Sequence, residues 1–207
     1  MVAKTAQTNT RRVRAHIDRS MLIKHTDGFG DFVDAMREVV WNAVDGHAQR
    51  IEIRFERANA GKTIHIHTSD DGEGVTDEGM EAIASMDYSP SAADASKRGR
   101  KGNGSKGFIH HAKYLRVLTR RSAESVLWSI QYTADELITF WEEGGADWNH
   151  QPVLVGCAIK TTGTITSWLD VGQGPIANSK HERTAQRLVD ELGQSLPLAV
   201  TRLVTVI

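Results

Sequence analysis

Hydrophobic and polar positions repeat with two different periods along the first half of the chain. Between Asp34 and Gly46 the apolar residues recur at helical spacing, which predicts an α-helix that ends near Gly46. The segments 51–55 and 63–68 alternate strictly between apolar and polar residues, which predicts two strands with one buried face each. Because only a short turn over 59–62 separates these strands, they are predicted to pair as a hairpin.

The rest of the pattern predicts a second helix over 76–86, capped by Thr76, and then a series of strands. A last helix over 180–192 and an apolar strand over 198–207 complete the chain. The strands between are predicted at 114–119, 125–132, 136–141, 153–160 and 163–169. Short turns between consecutive strands favour antiparallel pairing. The predicted fold is a two-layer α/β (α+β) sandwich: a mixed, mostly antiparallel sheet with helices on one face.

Three polar residues interrupt the apolar pattern of the first helix. Glu38, Asn42 and Asp45 stand at positions i, i+4 and i+7. At about 100° per residue they fall within a stripe roughly 60° wide, which points away from the main apolar group. One helix face is therefore predicted to pack on a core, while another presents a carboxylate, an amide and a second carboxylate. Taken alone, the three residues would also fit an ordinary solvated helix face.

Two glycine-containing loops follow this helix. The first, Asp70-Asp71-Gly72-Glu73-Gly74, comes directly after the second strand, and a carboxylate held there can accept a hydrogen bond from an exocyclic amine. The second loop runs from Gly99 to Gly107 and precedes a segment that can continue as a helix. Backbone N–H groups at a helix start, with Lys101 and Lys106 beside them, favour phosphate oxygens. Each loop alone also fits a simple turn or a flexible surface loop.

In this order, the acidic helix, the Asp-x-Gly-x-Gly turn and the Gly-rich loop resemble the GHKL ATPases. This superfamily includes DNA gyrase, the ninety-kilodalton heat-shock chaperones, histidine kinases and MutL. Gly163-Thr164 resembles the Gly-Thr that closes the nucleotide site of these proteins, and the resemblance covers about residues 18–170. It implies the Bergerat ATP-binding fold, with ATP and Mg²⁺ as cofactors.

The resemblance also implies roles for individual residues. Glu38 would activate the attacking water, Asn42 would ligate Mg²⁺, and Asp70 would accept a hydrogen bond from the adenine amine. Thr164 would support Asp70, and the backbone from Gly102 to Lys106 would surround the phosphates. The residues placed at ATP are Asn42, Asp45, Asp70, Gly72, Gly74, Val75, Lys101, Gly102, Asn103, Gly104, Ser105, Lys106 and Thr164.

Glu38 and Asp45 distinguish the branches of this superfamily. Histidine kinases usually show Asn at the position of Glu38 and a basic residue at that of Asp45. This chain therefore resembles the hydrolysing branches more closely: gyrase, MutL, the MORC proteins and the chaperones. Its Gly-rich loop lacks both the Phe-Gly-Val-Gly of the chaperones and the Phe-Arg-Gly-Glu of MutL, so the sub-family stays open.

The chain is predicted to consist of three parts. Residues 1–15 are predicted to be a flexible basic N-terminal arm, and 16–170 the ATP-binding domain with a lid at about 87–104. The C-terminal helix and strand over 171–207 are expected to lead into a further domain. In gyrase, MutL and the chaperones a Lys or Arg of the following domain contacts the γ-phosphate, so we expect slow hydrolysis without it.

The predicted function is Mg²⁺-dependent ATP binding and hydrolysis, which drives lid closure and ATP-dependent homodimerisation of a larger protein. Three alternatives stay open. They are a nucleotide-binding switch without significant turnover, a phosphotransfer module of the histidine-kinase type, and an interaction domain that binds no nucleotide. DNA, a client protein and a partner subunit are all open as the target of closure.

Composition and charge narrow the class of protein further. The chain has 207 residues, 40% of them hydrophobic, and a formal net charge of −1. These values fit one globular domain, or one domain with a small appendage, and give no indication of a nucleic-acid surface. No apolar run approaches the roughly 18 residues of a membrane span. The single cysteine, Cys157, cannot form an internal disulfide, which suits a reducing compartment and predicts a cytoplasmic location.

For two further groups of residues, a role in packing is favoured over a role in binding. His65 and His67 share one strand face and could contribute to a metal site, but packing is favoured because no third ligand stands nearby. Four tryptophans are predicted to pack in the core or at sheet edges rather than to stack on nucleic-acid bases, because no basic patch interleaves them. They are Trp128, Trp141, Trp148 and Trp168.

Overall fold

Eight β-strands form one sheet in the part of the chain that the computed structural model describes. This part comprises residues 11–14, 32–85, 104–121, 127–142, 147–153, 162–171, 181–201 and 204–206. The strands are β1 (Arg11–Arg14), β2 (Ile51–Ala58), β3 (Thr63–Asp70), β4 (Ala112–Arg120), β5 (Leu127–Thr133), β6 (Asp147–Val153), β7 (Gly163–Val171) and β8 (Val204–Val206).

The α-helices that accompany the sheet are α1 (Phe32–Asp45), α2 (Asp77–Ala84), α3 (Ala134–Glu142), α4 (His181–Ser195) and α5 (Leu198–Thr201). A 3₁₀ helix, Gly104–His110, leads into β4. Thr76 caps α2 as predicted, because its hydroxyl accepts a hydrogen bond from the N–H of Gly79 at 3.1 Å. None of the helices in the described residues is long and apolar enough to cross a membrane.

The strand order is β1-β6-β5-β4-β7-β3-β2-β8, and every neighbouring pair is antiparallel except β2 and β8. The predicted mixed, mostly antiparallel sheet is therefore confirmed, and so is the hairpin of β2 and β3. Strand β7 lies between β3 and β4, although it follows both in the chain. This insertion brings the late segment that begins at Gly163 beside the loop that follows β3.

The face of the sheet that packs against the helices carries three rows of side chains across its five central strands. The first row is large and apolar: Phe55, Ile66, Trp168, Leu115 and Tyr132. The second row mixes apolar and hydroxyl side chains: Ile53, Thr68, Thr166, Val117 and Ile130. The third row lies where β3 ends: Ile51, Asp70, Thr164, Thr119 and Trp128. In the three middle strands the side chains thus become smaller and more polar toward this end.

Helix α1 lies over this face and buries its apolar stripe there. The buried residues are Val33, Ala35, Met36, Val39, Val40, Trp41 and Ala43. At the start of the helix, the Phe32 ring contacts the Trp168 ring edge-on, with 6.0 Å between ring centroids. Trp168 also stacks on His111 at 6.2 Å. These contacts fix the N-terminal end of α1 over the first row, and its C-terminal end therefore lies over the polar third row.

The segment 136–141 was predicted as a strand, and this prediction was wrong because it belongs to helix α3. The hydroxyl of Thr133 accepts a hydrogen bond from the N–H of Glu136 at 2.9 Å, and the Glu136 carboxylate accepts one from the N–H of Thr133 at 2.7 Å. This reciprocal capping box starts a helix directly after β5. Leu137 is fully buried, so the apolar positions of this segment form the inner stripe of a helix.

Two other boundaries differ from the predicted ones. Residues 147–150 fall between the predicted strands over 136–141 and 153–160, but they belong to β6, which is held in place by pairing with β1 and β5. The predicted strand over 198–207 contains α5 and the short strand β8. In both segments, pairing with strands that are distant in the sequence determines where a strand forms, and this outweighs the intrinsic strand propensity of the residues.

Some predictions fall partly or wholly outside the described residues. Within the predicted basic arm, Arg11–Arg14 form β1, which pairs antiparallel with β6. Of the predicted lid over 87–104, the structure describes only Gly104. Trp128 and Trp168 are buried in the core as predicted, whereas the side chains of Trp141 and Trp148 lie outside the described set.

Candidate functional site

An open-sided cavity lies between the C-terminal half of α1 and the second and third rows of the sheet. It encloses about 600 Å³, including its solvent-filled mouth. Its apolar walls are Val39, Ala43, Val75, Ile83, Leu115 and Val117, and its polar lining is Asn42, Thr68, Asp70, Thr164 and Thr166, with Gly46 and Gly74 at its edge. An apolar slot with a few converging polar groups is the usual form of a small-molecule site.

Asp70 is the acidic group among the lining residues of this cavity. Its carboxylate accepts hydrogen bonds from the backbone N–H groups of Gly72, at 2.9 Å, and Thr164. Burial nevertheless raises the pKa of Asp70 from 3.8 to about 6, against the opposing effect of these two hydrogen bonds. A carboxylate with this pKa is largely ionised at neutral pH, and it presents hydrogen-bond acceptors in a mostly apolar slot.

The loop after Asp70 is bound tightly to the end of α1. The N–H of Glu73 donates to the carbonyl of Gly46 at 2.9 Å, and a Cβ on Gly72 would lie 2.5 Å from that same carbonyl oxygen. The close approach that requires glycine at position 72 is thus made by the protein's own backbone. Gly74 has a φ of +80°, and a Cβ there would lie 2.4 Å from the carbonyl of Arg120.

Helix α1 ends in a Schellman arrangement whose left-handed residue is His47, with a φ of +60°. The N–H of His47 donates to the carbonyl of Val44 at 2.9 Å, and that of Ala48 to the carbonyl of Ala43 at 3.1 Å. The helix stops at Asp45, close to the predicted end, although the left-handed position is one residue beyond Gly46. Gly46 is left to contact the 70–74 loop.

Asp71 is a positioning residue that the sequence analysis did not single out. One oxygen of its carboxylate accepts hydrogen bonds from the N–H groups of Gln49 and Arg50, each at 2.8 Å. These contacts join the segment after α1 to the loop that carries Asp70. The available signal was the residue type itself, because Asp side chains in loops commonly bind backbone N–H groups.

Thr119 and Arg121 hold the other end of this loop and were also missed. The hydroxyl of Thr119 accepts a hydrogen bond from the N–H of Val75 at 2.7 Å. Arg121 donates to the carbonyl of Val75 at 2.6 Å and to the carboxylate of Asp77 at 2.8 Å. Both residues stand at the end of β4, far from the loop in sequence, so only the folded sheet shows their contact with it.

The polar column of α1 runs out of the cavity along one helix face. Asn42 lines the cavity and is exposed, and Glu38 stands one turn earlier, half-buried. Asp45 is half-buried and is not among the lining residues, which on α1 and its end are Val39, Asn42, Ala43 and Gly46. The structure therefore places Asn42 at the boundary between the slot and solvent, with Glu38 one turn earlier on the same helix.

Part of the Gly-rich loop lies outside the described residues, including Lys101, Gly102 and Asn103. Gly104 and Ser105 begin the 3₁₀ helix, and Lys106 is 1% exposed. The ammonium group of Lys106 donates to the carbonyl of Ala82 at 2.5 Å, in the last turn of α2. A cation at a helix C-terminus is favourable, so in this structure Lys106 stabilises the end of α2.

Gly163 makes the closest backbone contact of the site, and its replacement gives a sharp test. It has a φ of +130°, and a Cβ there would lie 2.0 Å from the carbonyl oxygen of Asp70. We expect Gly163→Ala to lower the free energy of unfolding by more than about 3 kcal/mol, because backbone must move apart. Denaturant unfolding followed by circular dichroism measures this change.

The matched control is Gly193→Ala in α4, where an added Cβ meets no atom within 4 Å. Here the same substitution is expected to raise the free energy of unfolding by about 0.5–1 kcal/mol, because alanine favours a helix. Equal effects of the two substitutions would contradict the close contact at Gly163.

These residues suit a flat, mostly apolar ligand that carries a hydrogen-bond donor. The slot between α1 and the sheet supplies apolar walls, Asp70 supplies an acceptor, and the exposed α1 face leads toward solvent. In the described part of the chain, no three His, Cys, Asp or Glu side chains lie close enough to hold a metal ion. A hard cation with one protein ligand would need its remaining oxygen ligands from a bound phosphate group and water.

Comparison with known proteins gives one family. A family model described as Histidine kinase-, DNA gyrase B-, and HSP90-like ATPase matches residues 31–141. The match includes α1, β2, β3, the 70–74 loop, α2 and the strands β4 and β5. No curated protein matches the chain.

Proposed function

Because the chain belongs to the family of histidine kinase-, DNA gyrase B- and HSP90-like ATPases, we propose that it binds ATP with Mg²⁺ in the cavity under α1 and hydrolyses it. The family supports ATP binding. The observation that supports the proposal is a single cavity, between α1 and the sheet, that combines apolar walls with the Asp70 carboxylate and the Asn42 amide.

In this proposal the adenine ring lies in the apolar slot. The Asp70 carboxylate still has lone pairs beyond those that accept from Gly72 and Thr164, and one of them accepts the exocyclic amine of adenine. The residues Val39, Ala43, Val75 and Val117 cover the faces and edges of the ring. The phosphates then extend along the polar column of α1.

Asn42 is the proposed protein ligand of Mg²⁺, through its amide oxygen. When bound, Mg²⁺ would neutralise charge on the β- and γ-phosphates. Glu38 stands one helical turn away and accepts a proton from the attacking water. The water oxygen bonds to the γ-phosphorus while the bond from that phosphorus to the bridging oxygen breaks, which leaves ADP and inorganic phosphate.

Within the family, the carboxylate at position 38 favours hydrolysis over phosphotransfer, by the distinction between branches described above. Lid closure and ATP-dependent homodimerisation are part of the proposal, and they rest on the family resemblance. The cytoplasmic location predicted from the single cysteine stays a prediction.

Calorimetric titration of ATP into the protein, with and without Mg²⁺, tests the binding step. We expect saturable binding that Mg²⁺ strengthens. We expect Asn42→Ala to lower the affinity for ATP about tenfold in the presence of Mg²⁺ and to change it little in its absence. The amide is exposed on α1, so its removal should leave the fold unchanged. A folded wild-type sample that binds no ATP at millimolar concentration would refute the proposed function.

A further inference from the structure

Two neighbouring threonines in the cavity are not used by the base contacts described above. Thr68 on β3 and Thr166 on β7 stand directly opposite each other across the antiparallel strands, and both line the cavity. Thr68 is only 3% exposed, and Thr166 is half-buried. Among the residues that the structure describes, neither hydroxyl group has a hydrogen-bond partner in the protein. These two side chains are called the hydroxyl pair below.

The row of the sheet that contains the hydroxyl pair is otherwise apolar. Its other members are Ile53, Val117 and Ile130, none of which is more than 2% exposed. Valine has nearly the shape of threonine, so apolar side chains could fill the two remaining positions as well. A buried hydroxyl group without a partner is unfavourable, because it has lost its hydrogen bonds to water. The hydroxyl pair therefore indicates a polar partner that comes from outside the chain.

Such a partner can reach both hydroxyl groups at once. In the described part of the chain, the side-chain polar atoms that are fully covered and lack a partner include neither hydroxyl oxygen. Residues directly opposite each other in an antiparallel pair have Cβ atoms about 4.5–5.5 Å apart, and one water molecule can bridge two hydroxyl groups over this span. A bound water needs roughly two to four polar partners. The pair supplies two of them, and a ligand can supply another.

The hydroxyl pair lies beside the acceptor of the candidate site. Asp70 follows Thr68 by two residues on β3, and its side chain belongs to the adjacent row on the same face of the sheet. Two residues of a strand span roughly 6.6 Å, which is comparable to the size of a purine ring. A base whose amine reaches Asp70 can therefore also reach a water on the hydroxyl pair.

We propose that Thr68 and Thr166 form a second polar subsite of the cavity, which contacts the base of the nucleotide through one water shared by the two hydroxyl groups. The inference rests on the proposed function and adds to it a base contact that Asp70 does not make. Hydroxyl groups and water both donate and accept hydrogen bonds, whereas an ionised carboxylate only accepts. The subsite therefore strengthens the binding of adenine and guanine alike, and the choice between them is left to Asp70.

A double-mutant cycle tests this subsite, with Thr68→Val, Thr166→Val and the double variant. Dissociation constants for ATP and GTP are measured by calorimetry in Mg²⁺. We expect each single substitution to weaken both nucleotides about fivefold, so that the ratio of the two constants stays at its wild-type value. The double variant should be weakened by about the same factor as each single variant, because either substitution alone already releases the shared water.

Two kinds of control accompany the cycle. Thr68→Ser and Thr166→Ser keep the hydroxyl groups and should bind ATP as the wild type does. Thr63→Val removes another hydroxyl group from β3, one that contacts Asn59 at 2.8 Å and Asp170 at 3.3 Å and does not line the cavity. This substitution should leave both dissociation constants unchanged, even if it lowers the melting temperature. A loss of general stability therefore does not imitate the expected result.

A crystal structure of the free protein gives a readout that does not depend on nucleotide. We expect an ordered water within about 3.2 Å of both hydroxyl oxygens in the wild type, and none at that place in the double variant. A wild-type crystal structure with ordered waters elsewhere in the cavity but none on the pair would overturn the inference. So would single variants that bind ATP as the wild type does, or a double variant weakened by the product of the two single factors. A wild-type protein that holds this water but binds no ATP would instead refute the proposed function.

Discussion

Replacing Glu38 with Gln is expected to slow ATP hydrolysis by about 10²–10³-fold, because an amide cannot accept the proton of the attacking water. The affinity for Mg²⁺ and ATP should stay within a factor of about two, because Gln keeps the size of the side chain and Glu38 is not a lining residue of the slot. Release of inorganic phosphate under saturating ATP measures the rate, and calorimetry measures the affinity.

The control for this experiment is Glu52→Gln on β2. Glu52 is paired with Arg50 at 3.1 Å at the protein surface, and its replacement should leave hydrolysis unchanged. Turnover that survives Glu38→Gln at the wild-type rate would show that Glu38 is not the base. A wild-type protein that binds ATP without measurable turnover would favour the alternative function, a nucleotide-binding switch without significant turnover.

Asp70→Asn is expected to weaken ATP binding by roughly 10²-fold. The oxygen of Asn would accept the hydrogen bond that the N–H of Gly72 gives to one carboxylate oxygen, and an amide group that only donates would replace the other oxygen. A donor would then face the amine of adenine. GTP, with a carbonyl oxygen at that place, should lose less affinity, so the ratio of the two dissociation constants separates this effect from simple loss of folding.

The raised pKa of Asp70, about 6, makes the wild-type affinity depend on pH. Below pH 6 the carboxyl group is protonated and no longer a pure acceptor, so ATP affinity should fall as the pH is lowered from 7 to 5. Asp70→Asn is the control, because it lacks this titration and keeps that of the nucleotide phosphates and of the other protein groups. Equal pH dependence in the two proteins would contradict the role of Asp70.

The same pKa predicts the opposite trend for stability. The folded protein binds the Asp70 proton more tightly than the unfolded chain, where the ordinary value of 3.8 applies. The resulting stabilisation is fully present below pH 3.8 and is lost as the pH rises through 6. For this residue alone, acidification therefore strengthens the fold while it weakens ATP binding.

The elements with a clear apolar period could be predicted from the sequence. Helix α1 was predicted over 34–46 and the hairpin over 51–68, and both occur within a few residues of those bounds. Helix α3 was missed although the sequence carried its signal, because Thr133 and Glu136 have the spacing of a capping box. The apolar residues over 136–141 fit a short strand as well as a helix, and only the capping box distinguishes the two.

The candidate site could likewise be predicted only in part. Asp70, Asn42 and Thr164, which family resemblance indicated, do converge on one cavity. The roles of Thr119 and Arg121 could not be predicted, because the neighbouring sequence does not show which distant group a hydroxyl or guanidinium group in a strand will contact. Their contacts with Val75 depend on the position of β4 beside β7, a pairing between segments distant in the chain. Lys106 was expected at the phosphates, and in the structure it contacts the end of α2.

The three rows of side chains across the sheet assign core packing and ligand contact to different ends of the same strands. In β7, Trp168 contributes to the hydrophobic core, while Thr166 and Thr164, two and four residues earlier, face the cavity. A substitution near the mouth can therefore alter which ligand is accepted while the aromatic row keeps the layers together. Mutational tolerance should change along each strand, and new ligand preferences can evolve at one end without loss of the fold.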